Sequence, residues 1–322
     1  FLRIFPQVLR VIGASPVAHK SFIKDRDINA EFLNRTDCYL PKATSLRVSK
    51  LGYYSEEQEQ KFINFNSLKD YLEIIKYYIN VPNKRFKEIE IELANPKQIN
   101  NGTIQMESEL YNHIRPKGEF TTNERQYNQL KKGGIKYLEL RSIDLNPYTA
   151  YGISQIEIEF LELLSIYCIL CGDEKIDPVE EIKIKENIRR ASESGQDCNL
   201  ICSFEKGDAE KNIKVLTQEL LESLESLSNA IGLKENHKNM FKEFYRRNEV
   251  PLSTQIIDDL SNNSIVNFIS SKSKKQNLNL SKEFLKKMSL EAKTSKKEYL
   301  DQQNKDKIDF ETFLENYRGE IN

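Results

Sequence analysis

Apolar residues in the second half of the chain recur with the period of an α-helix, and this constrains the fold more than any other feature. Ile213, Leu216, Leu220, Leu224 and Leu227 fall three or four residues apart. That spacing puts them on one face of a helix expected from about Asp208 to Ala230, with Gly232 ending it. Upstream, SQIEIEFLELLSIYCILCG opens on Ser154 and Glu157, the spacing of a capping box. The segment 269–281, ISSKSKKQNLNLS, is polar and rich in Lys, Ser and Asn, so it reads as a loop. Two helical stretches follow it, one with Phe284, Leu285 and Met288, the other with Phe310, Phe313, Leu314 and Tyr317. Residues 154–322 are therefore expected to be mainly helical.

Residues 1–153 mix periods and are expected to be strand-rich. The start, FLRIFPQVLRVIG, reads as an amphipathic helix ending near Gly13; Arg3, Arg10 and Pro6 break the apolar run that a signal peptide requires. A second helix spans 66–80, with Ser67 and Asp70 in capping-box spacing and Pro82 as its stop. Three segments alternate with the period of a strand: 87–94, 103–111 and 135–145. In the second of these Glu107 and Glu109 share the wet face. In the third, Ile135, Tyr137, Glu139 and Arg141 point one way, and Leu138 and Leu140 point into a core. The fold class is α+β.

Charge and hydropathy exclude two classes of partner. Lys plus Arg number 48 and Asp plus Glu 49, a net charge of -1, so bulk attraction to nucleic acid is not expected. The longest mostly apolar stretch, 160–171, carries Glu162 and is too short for a span, which needs about 20 apolar residues, so no membrane insertion is expected. Five cysteines make an odd count, against a complete disulfide framework. Cys168 and Cys171 lie within a helical apolar pattern, where cysteine behaves as a small core residue, so structural thiols and a cytoplasmic location are expected.

Three segments carry chemistry. On the strand at 135–145, Glu139 and Arg141 sit two residues apart on one face, a carboxylate for Mg2+ beside a guanidinium for phosphoryl oxygens. A plain exposed salt bridge is the alternative. In YNHIRPKGEF (111–120), Arg115 and Lys117 flank Pro116 and suit a polyphosphate; an ordinary surface turn is the alternative, and His113 reads as a polar loop residue. In LPKATSLRVSKLGYY (40–54), Arg47 and Tyr53 could hold a substrate carboxylate, or serve as a surface arginine and a core tyrosine. Nucleotide-loop, zinc-protease and serine-hydrolase motifs are absent.

Together with GASP (13–16), these segments resemble the bacterial single-subunit glutamate–cysteine ligase family, also called γ-glutamylcysteine synthetase. The resemblance rests on IGASPVAHKSF, YLPKATSLRVSKLGYY, QMESELYNHIRPKG and GGIKYLELRSIDLNPYTAYGI. It is dense in the first half and loose after about residue 180. It implies a glutamine-synthetase-like curved mixed sheet, incomplete here, with a helix-rich C-terminal half. The implied reaction is ATP-dependent ligation of the L-glutamate γ-carboxyl to the L-cysteine amine through γ-glutamyl phosphate, the first step of glutathione biosynthesis. By resemblance Glu139 is a Mg2+ ligand, with Glu107 and Glu109 as further metal candidates. Arg141 faces the phosphoryl or γ-carboxyl group, Arg47 binds substrate, and Tyr53 and Tyr111 line the cysteine site. Arg115 and Lys117 are assigned to nucleotide phosphates. The family's chains extend further at the N-terminus, and this one begins with Phe1. Residues 1–322 are therefore expected to be the C-terminal part of one catalytic domain, an N-terminally truncated fragment, monomeric, and inactive alone. The other reading is a non-catalytic scaffold with a degenerate ligase fold.

Overall fold

The computed structural model describes residues 1–24, 28–52, 54–86, 98–119, 124–172, 174–202, 209–260, 263–275, 281–305 and 308–321. Tyr53 and the expected strand at 87–94 lie outside the described residues. The chain forms two compact units. The first comprises Phe1–Asp70, Tyr111–Pro116 and Leu138–Gln276; the second comprises Tyr71–Leu110, Lys117–Tyr137 and Asn277–Asn322.

The first unit is built on helix α1 (Phe5–Ile12), where seven of the eight residues are buried, far more than an amphipathic surface helix would hide. It ends at Gly13, where a Cβ would stand 2.5 Å from the Leu9 carbonyl and 2.9 Å from Thr44. A short helix, α2 (Glu56–Glu59), comes next, and α3 (Leu68–Asn80) leads into the second unit. Its cap is the expected one, with Ser67 Oγ accepting from the Asp70 amide at 3.0 Å. Strands β1 (Val17–His19), β2 (Glu31–Phe32) and β3 (Asp37–Tyr39) form an antiparallel sheet in the order β1-β3-β2.

Later helices pack around α1. In chain order α4 (Gln126–Gly133) comes next and belongs to the second unit; the first unit then has α5 (Gln155–Leu170), α6 (Pro178–Ser194), α7 (Ile213–Ala230), α8 (Lys238–Glu249), α9 (Leu252–Leu260) and α10 (Ile265–Lys275). Phe5, Leu9, Phe160, Leu163, Ile188, Leu221 and Phe244 share one core, with the Phe160 and Phe244 rings stacked at 4.1 Å. At the start of α5, Ser154 and Glu157 form the full capping box. Helix α7 begins five residues later than expected, because 210–212 is strand β7 (Glu210–Asn212) paired with β6 (Asn199–Ile201). It ends as expected, with Gly232 at φ 78°. Part of the expected loop at 269–281 is instead α10, anchored by Phe268 in a cluster with Leu252, Ile256 and Leu260.

In the second unit α3 buries Tyr71, Ile75 and Ile79. The expected strand at 103–111 is not formed: Glu107–Glu109 is one turn of 3₁₀ helix. Helix α4 ends at Gly134, whose φ of 69° suits glycine. Helices α11 (Lys282–Lys305) and α12 (Phe310–Gly319) complete the unit; α11 buries no residue, while α12 buries Leu314. Strands β4 (Ile114–Lys117) and β5 (Tyr137–Leu140) pair as a two-stranded sheet. No helix among the described residues is long and apolar enough to cross a membrane.

Candidate active site

Three motif segments, far apart in sequence, meet in the first unit. The chain leaving α1 runs through Ala14 and Ser15 and forms a parallel bridge with Ser45. The Leu46 amide donates to the Ser15 carbonyl at 2.7 Å. On the far side, the Thr44 and Ser45 amides donate to the Ser192 carbonyl at the end of α6, at 3.0 and 3.1 Å. Arg47 is thereby presented from a turn seated on the helical core. Gly52 closes that turn, where a Cβ would stand 2.0 Å from the Arg47 carbonyl.

The third segment follows β5. The strand stops at Leu140, earlier than expected, and Leu138 is 57% exposed instead of filling a core. Beyond it the interior positions are polar. Ser142, Asp144 and Asn146 are buried while Leu145 is 77% exposed. Ser142, Asp144 and Asn146 each have at least one hydrogen-bond partner, as buried polar residues require, while Asp144 Oδ1 has none among the described residues and faces only the Arg47 charge. Asp144 Oδ2 accepts from the Ala14 amide at 2.9 Å and Ser15 Oγ at 2.8 Å. Asn146 Nδ2 donates to Glu157 Oε1 at 2.8 Å, and Glu157 also meets buried Arg247 at 2.7 Å.

Arg47 and Arg141 meet at this junction. Arg47 Nη2 donates to the Arg141 carbonyl at 2.6 Å, and Arg47 Nη1 faces Asp144 Oδ1 at 3.7 Å. The Arg141 amide donates to the His113 carbonyl at 2.9 Å. Arg141 Nε stands 3.9 Å from Glu139 Oε1, so the two side chains are neighbours as expected, although Arg141 lies just beyond the end of the strand. Both retain solvent access, at 24% and 40% of the side chain. Neighbouring cation and carboxylate, both partly open, can serve one anionic ligand and its counter-ion.

His113 and Ser142 brace the same corner, and sequence reasoning missed them. His113 Nδ1 lies 2.7 Å from Ser142 Oγ, and its ring sits 5.0 Å from the Phe5 ring. Burial, then the charges of Arg47 and Lys185, push its pKa down to about 4, so the imidazole is neutral at physiological pH. Arg115 is not on the surface turn that was its alternative reading: it lies on β4 and is only 4% exposed. Tyr111 is 47% exposed, with its amide donating to Gln58 Oε1 at 2.8 Å.

The remaining candidates belong to the second unit. Glu107 is not on a wet strand face. Its carboxylate is buried and bidentate with Arg125, at 3.3 and 3.1 Å, and accepts from the Tyr127 amide at 3.0 Å. It thus caps the first turn of α4, where a negative charge is favoured. Arg125 in turn lies 3.8 Å over the Tyr317 ring of α12. Glu109 Oε2 accepts from the Gln105 amide at 2.7 Å, and Lys117 Nζ donates to Gln126 Oε1 at 3.1 Å. All five cysteines are free thiols, and no group of three or more metal-binding side chains occurs among the described residues.

The architecture is that of a known ligase fold. It superposes on the crystal structure of glutamate–cysteine ligase from Francisella tularensis in complex with AMP with a TM-score of 0.86, at 22% identity, over 98% of this chain and 65% of that one. A bifunctional glutathione synthetase from Pasteurella multocida gives 0.58 at 20% identity, over 86% of this chain and 30% of that one. In sequence, residues 1–191 match the glutamate–cysteine ligase family, and the chain belongs to that family. The match ends close to where the resemblance thins. The glutamate–cysteine ligase of Wigglesworthia glossinidia brevipalpis is 36% identical over 239 residues, 72% of this chain and 47% of that one. That of Shewanella halifaxensis is 38% identical over 183 residues, 56% of this chain and 35% of that one. The chain spans about half the length, or less, of the curated relatives it matches.

Proposed function

We propose that this chain carries active-site residues for ATP-dependent ligation of L-glutamate to L-cysteine, the first step of glutathione biosynthesis. The observation that carries the reading is the junction of Arg47, Glu139 and Arg141, built from the segments that resemble the family most. A carboxylate is a poor acyl donor. Transfer of the γ-phosphoryl of ATP to the glutamate γ-carboxylate releases ADP and makes γ-glutamyl phosphate. The cysteine amine then attacks the carbonyl carbon, the C–O bond to phosphate breaks, and the amine gives up a proton. Most of the catalytic demand is positioning and charge, which suits arginines held by backbone contacts.

In this reading Arg141 faces the transferring phosphoryl group, Arg47 holds a substrate carboxylate, and Tyr53 and Tyr111 line the cysteine site. Arg115 and Lys117 serve nucleotide phosphates. Mg2+ generally takes one or two protein carboxylates together with phosphate oxygens and water, and the partly exposed Glu139 carboxylate fits one such place. Bound there, the ion would neutralise phosphoryl charge. Glu107 is spent on Arg125 and the α4 N-terminus, so the metal role rests on Glu139, with Glu109 secondary. The AMP complex of the Francisella ligase supports nucleotide use. A monomer in the cytoplasm completes the reading.

The test is formation of γ-glutamylcysteine and ADP in equal amounts from ATP, L-glutamate, L-cysteine and Mg2+ by the natural gene product that contains this sequence. Glu139→Gln and Arg141→Met should each lower kcat by about 100-fold or more, with unfolding midpoints little changed. Variants within about threefold of the parent would overturn the assignment. No product from the parent would leave a scaffold.

A further inference from the structure

Asp144 is buried, its side chain 1% exposed, and no step of the ligase reaction uses it. An ionised carboxylate only accepts hydrogen bonds, and a buried one needs partners. One oxygen is held by the Ala14 amide and Ser15 Oγ, at 2.9 and 2.8 Å. The other faces Arg47 Nη1 at 3.7 Å, an ion pair slightly too long for a direct hydrogen bond. The same guanidinium reaches the Arg141 carbonyl through Nη2 at 2.6 Å. Arg47 is therefore gripped from two sides, and the Asp144 grip is fixed to the segment that leaves α1.

We propose that Asp144 is the positioning residue for Arg47. Anchored on Ala14 and Ser15, it sets the guanidinium plane before substrate arrives, so that a substrate carboxylate meets an oriented fork rather than a mobile side chain. Preorganisation of this kind acts on affinity, because the rotamer entropy of a long side chain is lost before binding. The proposal rests on the ligase reading of Arg47.

Asp144→Asn keeps the shape and an acceptor for Ala14 and Ser15 but removes the charge facing Arg47. In the natural gene product it should raise KM about tenfold for the amino-acid substrate whose KM also responds to Arg47→Gln, with kcat changed less than about threefold. In an Arg47→Gln background the same change should move that KM less than about twofold, because the residue through which it acts is gone. Equal shifts in the two backgrounds, or no shift in Asp144→Asn alone, overturn the proposal. A crystal structure of the Asp144→Asn protein without substrates reads the geometry directly. Loss of the Arg47–Arg141 carbonyl contact is expected, and its retention overturns the proposal whatever the kinetics. Should that variant fail to fold, Ser15→Ala removes one anchor and should shift the same KM in the same direction by a smaller factor; an unchanged KM overturns the idea. A parent protein that forms no γ-glutamylcysteine sinks the ligase reading instead, and the crystal structure still decides the role of Asp144 toward Arg47.

Discussion

Replacing Arg10 with methionine should destabilise the first unit by about 3 kcal/mol. Arg10 is 2% exposed in the middle of the central helix α1. Its guanidinium donates to Asn248 Oδ1 at 2.8 Å, the Asn248 carbonyl at 2.6 Å, and the Gly195 and Gln196 carbonyls at 2.9 and 2.8 Å. No carboxylate hydrogen-bonds it among the described residues. Its counter-charge is instead the C-terminal ends of α6 and α8, where a cation is favoured by exposed carbonyl dipoles. Burial lowers its pKa, and the nearby Cys198, Glu249 and Asp197 only partly offset this. Methionine fills similar space but donates nothing. Four acceptors lose a charged donor at about 1 kcal/mol or more each, while relief from guanidinium desolvation returns part of the loss. The net of about 3 kcal/mol is a large share of the roughly 5–15 kcal/mol typical of a folded domain. Urea unfolding followed by circular dichroism measures it. Arg10→Lys should fall between, since it keeps the charge without the fork. A methionine variant within about 1 kcal/mol of the parent would refute the reasoning, because the carbonyls would then be satisfied some other way.

Three other outcomes follow from named contacts. Burial alone would raise the Glu157 pKa, but Arg247 and the Ser154 and Asn146 hydrogen bonds leave it lowered; Glu243, bonded first to Arg246 and also to Arg247, is held at about 2. Both carboxylates contribute stability that is full above about pH 4.5 and lost as pH falls through their depressed values, so the urea midpoint should drop between about pH 4.5 and 2. Arg247→Met should flatten that dependence, and an equally steep curve in the variant would count against the pairing. Cys198, whose thiol burial pushes up to about 11, should be alkylated by iodoacetamide more slowly at pH 8 than exposed Cys171, since only about one molecule in a thousand is thiolate. Peptide mapping that found Cys198 labelled first would contradict this. Gly52→Ala should cost at least about 2 kcal/mol, because the added Cβ meets backbone rather than a movable side chain; an unchanged urea midpoint would show that the turn under Arg47 relaxes.

Local signals were the most legible. Ser67 with Asp70 and Ser154 with Glu157 cap their helices as written, since a capping box is complete within four residues. Gly232 ends its helix for an equally local reason, its positive φ. Misreadings arose where a distant partner decides. Residues 103–111 alternate like a strand, but Glu107 is drawn in by Arg125, eighteen positions on, and the backbone turns there. Residues 269–275 look like a loop by polarity, yet Phe268 and the 252–260 helix hold them helical. The site behaves likewise. Arg47, Glu139 and Arg141 stood out by residue type and by resemblance, and the fold brings them to one corner. Asp144, Ser15, His113 and Ser142 lay in the same strings but carried no signal of their own. Their placement depends on contacts across 29 to 130 residues, which alternation along a strand does not encode.

The most direct test of the ligase reading follows one oxygen atom. L-Glutamate labelled with ¹⁸O in both γ-carboxylate oxygens is turned over with ATP and L-cysteine by the natural gene product, and the released phosphate is analysed by mass spectrometry. Reaction through γ-glutamyl phosphate transfers one labelled oxygen to each phosphate and leaves the other in the new amide. Phosphate free of label, with γ-glutamylcysteine still formed, would contradict the acyl-phosphate chemistry assigned to Arg141 and Glu139.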